Sequence, residues 1–161
     1  MKNLFSVGYG HFNRENYIYD IAKSDPSIAL ILAAVTFEWT FKRFIMKLGK
    51  SKTDDLRKIL EKTYSLKSLK EVWHKEIGSQ YKKASIKDVL LDFFNVIEPS
   101  KNPKKPNACD VRGEVIHGNG SISSDRANKA TREYLFAARF LYLYAETIHR
   151  RNLDKRLISR K

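Results

Sequence analysis

The sequence predicts an all-α fold, on the basis of three observations. Glycine and proline are scarce, with 7 and 4 in 161 residues, so few positions interrupt a helix. Few runs alternate between polar and apolar residues with the period of two that marks a half-buried strand. Two long segments, 26–49 and 126–149, instead repeat apolar residues every three to four positions, as helices do. The length fits one domain with a hydrophobic core.

The charge composition favours a polyanionic partner. The 31 Lys and Arg against 18 Asp and Glu give a formal net charge of +13. Nucleic acid is the leading candidate, because basic side chains near phosphates release condensed counterions. A basic surface that only keeps the protein in solution is the alternative. Charge alone does not separate RNA from DNA, although no convincing helix-turn-helix pattern supports a DNA-binding regulator.

The cysteine count and the apolar runs indicate a cytoplasmic protein without a membrane partner. Cys109 is the only cysteine, so neither an intrachain disulfide nor a cysteine-based metal site is expected. The N-terminal residues lack the apolar core of a signal peptide. The most apolar run, 28–35, is too short to cross a bilayer. We predict no metal and no cofactor.

The chain ends flank the predicted helical domain, which covers residues 25–150. Residues 1–24 form an N-terminal arm that we expect to be irregular, because Gly8 and Gly10 interrupt it, with at most a short amphipathic turn near Ile18. This arm packs either on the body or on a second chain. Residues 151–161 are a basic C-terminal tail for which we expect a frayed, solvated end rather than a longer helix or a nucleic-acid contact.

The first long helix is predicted to begin after Asp25 as N-cap, with Pro26 in its first turn, and to stop at Gly49. Its surface is apolar nearly all round, so it is either central to a bundle or shared with a partner. We favour a dimer interface for part of it. Glu38 lies within this apolar surface; pairing with a nearby Lys or Arg is the simpler interpretation, and support of a catalytic Arg or His is the other.

Three shorter helices follow. The first covers 53–64, the second begins at Ser68 with the spacing of a capping box, and the third covers 85–97 and is ended by Pro99. His74 lies among lysines and is expected at the surface. The next loop, 99–107, holds three prolines that should keep it extended and exposed. Its lysines form either a phosphate-binding lip or part of a solvated connector; they are Lys101, Lys104 and Lys105.

A short helix is predicted between Asn107 as N-cap and Gly118 as the stop, and the final helix begins after Asp125. The short helix carries Arg112 and His117. A histidine that titrates near neutrality can act as a general acid or base, and an arginine fork suits a phosphate. Alternatively, the arginine is a surface cation and the histidine only caps the helix.

Helical spacing separates these two side chains within one chain. Residues five apart lie about 140° around a helix and roughly 7.5 Å along it. Glu114, three residues before His117, is its surface neighbour. A two-fold axis that brings a second copy of the helix alongside would converge the charges. We therefore expect a composite site in a homodimer.

The segment Arg112-Gly113-Glu114-Val115-Ile116-His117-Gly118 resembles the Arg-x4-His motif of the HEPN superfamily. The long first helix, the shorter middle helices and the final helix are also similar to that family over about residues 25–150. The resemblance implies an up-and-down helical bundle with extra short helices, a homodimer, and metal-independent cleavage of RNA. It implies that His117 draws the proton from a ribose 2′-OH and that Arg112 stabilises the phosphate charge, in a toxin or antiphage defence effector that often has an antitoxin.

The supporting residues implied for this activity are Glu114, Asn119 and Glu38, and the three lysines of loop 99–107 would guide RNA. Two positions depart from the family pattern. Gly113 replaces the usual polar residue after the arginine, which supports the alternative of a non-catalytic HEPN dimer that binds nucleic acid or a partner protein. Asn119 stands where toxins controlled by nucleotidylation carry a tyrosine, so that type of control is not expected here.

Overall fold

The computed structural model describes residues 10–78, 97–102, 104–118 and 121–158, with side chains of the last helix described as far as Tyr144. All regular structure in these residues is helical, so the all-α prediction is confirmed. A π-helical turn, His74–Gly78, continues the fourth helix. The α-helices are α1 His11–Ser24, α2 Pro26–Leu48, α3 Thr53–Glu61, α4 Leu66–Trp73, α5 Ala108–His117 and α6 Ser124–Ile158.

The chain packs as two compact units. The first consists of Met1–Phe37 and Asp92–Arg139, and the second of Glu38–Leu91 and Phe140–Lys161. The long helices α2 and α6 contribute residues to both. In the first unit the buried apolar residues described are Ile97 and residues of α1, α2, α5 and α6, and the fully buried ones include Ile18, Leu30 and Leu135.

The prediction of an irregular N-terminal arm is wrong over His11–Ser24, which form helix α1. Residues 1–9 lie outside the described part. Its buried residues follow helical spacing at positions 11, 14, 15 and 18. Three of the four are polar or charged: His11, Arg14 and Glu15. A search for apolar periodicity does not detect such a face, which explains the error.

Helix α2 begins and ends as its sequence predicts. The backbone N–H of Ile28 donates to Asp25 Oδ1 at 2.9 Å, so Asp25 is the N-cap. The chain leaves the helix at Gly49, where an added Cβ would lie 2.8 Å from the side chain of Leu56. On its outer side Ile28 is 49% exposed and Val35 is 40% exposed. Part of the apolar surface of α2 is therefore uncovered in the single chain.

The second unit corrects two predicted boundaries. Helix α3 ends at Glu61, three residues before the predicted end. Helix α4 is capped by Ser65 rather than Ser68, because the Ser65 side chain accepts the Ser68 N–H while the Ser68 side chain accepts the Ser65 N–H. His74 is exposed, as predicted. The helix predicted over 85–97 lies almost entirely outside the described residues.

A buried carboxylate closes the turn between α2 and α3. Glu76 is 0% exposed, and its Oε2 accepts the backbone N–H of Ser51 at 3.1 Å. The backbone carbonyl of Glu76 also accepts the N–H of Lys50 at 3.3 Å. The π-helical turn therefore holds the α2–α3 connection through both its backbone and a side chain.

Helix α6 differs from its prediction at both ends. Ser123 is the capping residue, since its Oγ accepts the N–H of Arg126, and Asp125 lies in the first turn. At the other end the helix continues to Ile158, so the expected frayed tail is wrong as far as that residue. No glycine or proline occurs after Gly120 to stop it. Among the described residues no helix combines the length and the apolarity needed to cross a membrane.

Candidate functional site

Helix α5 is fixed at its start by a capping box between Asn107, the predicted N-cap, and Asp110. The Asp110 Oδ2 accepts the backbone N–H of Asn107 at 2.9 Å and that of Ser100 at 2.8 Å. The Asn107 Nδ2 donates to the Glu98 carbonyl at 2.9 Å. The first turn of α5 is thus tied to the segment that leads into the lysine loop.

The end of α5 is set by a glycine in the left-handed region. Gly118 has φ 65° and ψ 25°, and its N–H donates to the carbonyl of Glu114. Glycine adopts this conformation without the steric cost that a Cβ would add. The predicted stop is therefore confirmed, and the exposed His117 is the last helical residue.

Arg112 lies next to the half-buried thiol of Cys109 and the buried phenol of Tyr134. Its side chain is half-buried, and its Nε is inaccessible and donates no hydrogen bond to any described residue. Cys109, three residues earlier, hydrogen-bonds with the hydroxyl of Tyr134 on α6. Burial raises the pKa of both groups, and the nearby Arg112 charge partly opposes that rise. The guanidinium is therefore held beside packed side chains rather than extended into solvent.

The two acidic residues expected to support the site pair with other cations. Glu114 Oε1 accepts from Arg126 Nη2 on α6 at 2.9 Å. Glu38 pairs with Lys42 one turn later on α2, at 3.0 Å, which is the simpler of the two interpretations of that residue. Glu38 also belongs to the second unit, whereas α5 belongs to the first. Asn119 lies outside the described residues.

The lysine loop lies at the N-terminal end of α5, away from His117. The side chains of Lys101, Lys104 and Lys105 are exposed, as predicted. The loop is not extended there, because the Lys105 N–H donates to the Asn102 carbonyl at 2.9 Å and forms a turn. His117 lies ten positions after Asn107, about 15 Å along the helix axis. A ligand that contacts both regions must therefore follow the length of α5.

A cluster that the sequence did not reveal lies between α1 and α6. Glu15 receives a two-pronged contact from Arg139, with Nη2 to Oε1 at 2.7 Å and Nε to Oε2 at 3.0 Å. His11 Nε2 lies 3.9 Å from Glu15 Oε2, and Arg14 is 1% exposed. Burial, followed by the charges of Arg14 and Arg139, lowers the pKa of His11 to about 4. His11 is therefore neutral at physiological pH and is enclosed by the packing.

Among the described residues, no three His, Cys, Asp or Glu side chains gather in the way that metal ligands do. A comparison of the chain with protein-family models, with curated proteins and with solved structures finds no match.

Proposed function

We propose that this protein is a metal-independent endoribonuclease of the HEPN type, with Arg112 and His117 as its catalytic residues. One observation carries the proposal: a short, capped helix presents an exposed histidine at its glycine-terminated end and a held arginine five residues earlier. Within the described residues neither side chain has a carboxylate as an ion-pair partner, so no such carboxylate competes with a phosphate for either of them. The net charge of +13 fits a polyanionic substrate.

In the proposed reaction the neutral imidazole of His117 takes the proton of a ribose 2′-OH. The resulting oxygen attacks the adjacent phosphorus and the bond to the 5′ oxygen breaks. That oxygen leaves as a hydroxyl with a proton from water, and the imidazolium of His117 returns its proton to solvent. The products are a 2′,3′-cyclic phosphate and a 5′-OH. The guanidinium of Arg112 donates to the non-bridging oxygens, where negative charge develops. Because the Arg112 side chain is packed against its neighbours, it has less conformational freedom to lose when it contacts the phosphate.

The geometry of α5 favours a site shared by two chains. Arg112 and His117 lie about 140° apart around the helix, so one phosphate contacts both more readily across a two-fold axis. Ile116, beside His117, is 47% exposed and offers an apolar contact to a second copy. The exposed Ile28 and Val35 of α2 are a further uncovered apolar face. We propose a cytoplasmic homodimer that acts as a toxin or antiphage effector, with an antitoxin as its regulatory partner.

The proposal is tested by cleavage of a labelled single-stranded RNA in EDTA, with analysis of the product ends. Replacing His117 or Arg112 with alanine should lower the cleavage rate by about 10²–10⁴-fold, the usual contribution of a positioned acid–base group. Circular dichroism should show the same helix content as the wild type. His74→Ala, which removes another exposed histidine, is the matched control and should cleave at the wild-type rate. Equal cleavage by all four proteins would exclude the proposal.

A second candidate is a non-catalytic dimer of the same type that binds nucleic acid or a partner protein. The absence of a side chain at Gly113 favours it, because this position follows the arginine, where a polar group is expected in the active proteins. An added Cβ at Gly113 would meet nothing within 4 Å, so the fold itself does not require glycine there. RNA binding without formation of any cyclic phosphate product would favour this candidate.

A further inference from the structure

Aromatic and basic side chains interleave along the surface where α1 and α6 pack together, outside the Arg112/His117 helix. On α6, Arg132, Phe136 and Arg139 follow the spacing i, i+4, i+7 and share one face. On α1, Phe12 and Tyr19 are seven residues apart and also share a face. The rings of Phe12, Tyr19 and Phe136 are 49%, 37% and 64% exposed. We name this surface, formed by these five residues and Lys23, the α1–α6 seam.

Contacts between the two helices hold the seam together. The Glu15–Arg139 contact joins them, and the Arg139 guanidinium lies 5.5 Å from the centre of the Phe12 ring. The carboxylate of Glu15 balances the charge of Arg139, and the planar guanidinium lies over an aromatic ring. The guanidinium of Arg132 is exposed, one turn before Phe136. Arg132 therefore offers a charge to a ligand, while Arg139 mainly supports the surface.

A cavity of about 220 Å³ opens within the seam. Its lining contains two cations and two hydroxyl groups but no carboxylate, and is formed by Tyr19, Ala22, Lys23, Asn128, Thr131 and Arg132. Lys23 pairs with Asp20 at 2.8 Å and stays highly exposed. The Oδ1 of Asn128 is buried and accepts no hydrogen bond from the described residues. The volume is below the 300–1,000 Å³ typical of sites for drug-sized ligands, so it suits a phosphate with part of its nucleoside.

We propose that the α1–α6 seam is a binding surface for single-stranded RNA, with a phosphate in the cavity beside Arg132 and bases stacked on the exposed rings of Tyr19 and Phe136. Cations that follow a backbone, together with aromatic platforms for unpaired bases, are how proteins bind single strands. A duplex hides the faces of its bases from such rings. This inference rests on the proposed function in that it assigns a surface to the RNA substrate.

The test measures binding of a fluorescent 2′-O-methyl oligouridine of twelve nucleotides by anisotropy, in EDTA and over a series of salt concentrations. This probe lacks the attacking hydroxyl, so binding is separated from cleavage. Phe136→Ala should weaken binding about fivefold or more, as expected for one lost stacking contact. Arg132→Gln should weaken it about fivefold and reduce the slope of log Kd against log salt by about 0.7. Arg57→Gln, an equal loss of charge at an exposed position of α3, is the control and should change Kd less than twofold.

The inference is overturned by seam variants that bind the probe within twofold of the wild type, or by a loss of affinity in Arg57→Gln as large as that in Arg132→Gln. A twelve-base-pair RNA duplex that binds as tightly as the single strand would also contradict it. Each protein is checked by thermal melting, so a folding defect is recognised. Failure of the proposed function is recognised in the cleavage assay, where Arg112→Ala and His117→Ala would cleave RNA as fast as the wild type. The binding measurement does not depend on that outcome.

Discussion

Two histidine–arginine pairs in the first unit have opposite surroundings. On α1, His11 and Arg14 are three residues apart on one face and are 6% and 1% exposed. On α5, Arg112 and His117 are five residues apart on different faces, half-buried and exposed respectively. The α1 pair is enclosed with the carboxylate of Glu15, while the α5 pair has no carboxylate partner among the described residues. The same residue types therefore stabilise the fold in one place and are open to a ligand in the other.

The difference shows that proximity alone does not identify a reactive site. The α1 cluster brings a histidine, an arginine and a carboxylate close together, yet all three side chains are buried. A general base must reach the proton that it removes, so accessibility comes first. For this reason the exposed His117, rather than the buried His11, is the proposed base.

The largest expected effect comes from removing the carboxylate that α1 contributes. Glu15→Ala removes the buried acceptor of the half-exposed Arg139 and should reduce the free energy of unfolding by about 3 kcal/mol, the lower end of the range for breaking a buried pair. The side chain of Glu15 is 4% exposed. The matched variant, Glu114→Ala, breaks a pair whose side chains are 32% and 42% exposed and should cost at most about 1 kcal/mol. Urea denaturation at fixed protein concentration measures both. Equal losses would show that the two regions do not differ as described.

A smaller effect is expected in the dependence of stability on pH. The folded protein lowers the pKa of His11 from 6.5 to about 4, so between these values the unfolded chain binds the proton more readily. The contribution of His11 to the free energy of unfolding, on the order of 2 kcal/mol, is therefore complete above pH 6.5. It is lost as the pH falls toward 4. His11→Asn should flatten this part of the profile, whereas His117→Asn should leave it unchanged. The same slope in His11→Asn and the wild type would contradict the assignment.

The smallest effect concerns Gly113, in the middle of α5. An added Cβ meets no atom within 4 Å, so Gly113→Ala should raise the free energy of unfolding by about 0.5–1 kcal/mol through helix propensity. Gly113→Asn should gain less stability but supply the missing polar group. If the proposed function holds, the asparagine variant should cleave RNA faster than the alanine variant. Equal cleavage rates would show that a polar group at this position does not matter to the reaction.

The sequence predicted the features that depend on local rules. The caps at Asp25 and Asn107 and the stop at Gly118 follow from which residues satisfy helix ends, and the structure confirms them. The start of α4 was wrong by three positions because both Ser65 and Ser68 fit a capping pattern. Only the reciprocal hydrogen bonds between them decide which of the two serves as the cap.

The features that the sequence did not predict depend on tertiary contacts. Helix α1 buries His11, Arg14 and Glu15, and charged residues indicate a buried face only when their partner is known. That partner, Arg139, is 124 residues away from Glu15 in the chain. The contact of Glu114 with Arg126 has the same character, since a loop separates the two helices. For the candidate site, the sequence located Arg112 and His117. It did not predict that Arg112 is half-buried beside other side chains while His117 is exposed.

The buried Glu76 has a consequence for the order of folding. The backbone N–H groups of Lys50 and Ser51 donate to a residue about 25 positions later. The turn after α2 therefore does not satisfy its own hydrogen bonds from neighbouring residues. Forming it requires closure of that loop, with its entropic cost, before the hydrogen bonds are gained. In native-state hydrogen exchange, these two amides should lose protection together with α4 and the π-helical turn. The connection between α2 and α3 thus opens and closes as one cooperative element with a segment that the chain produces later.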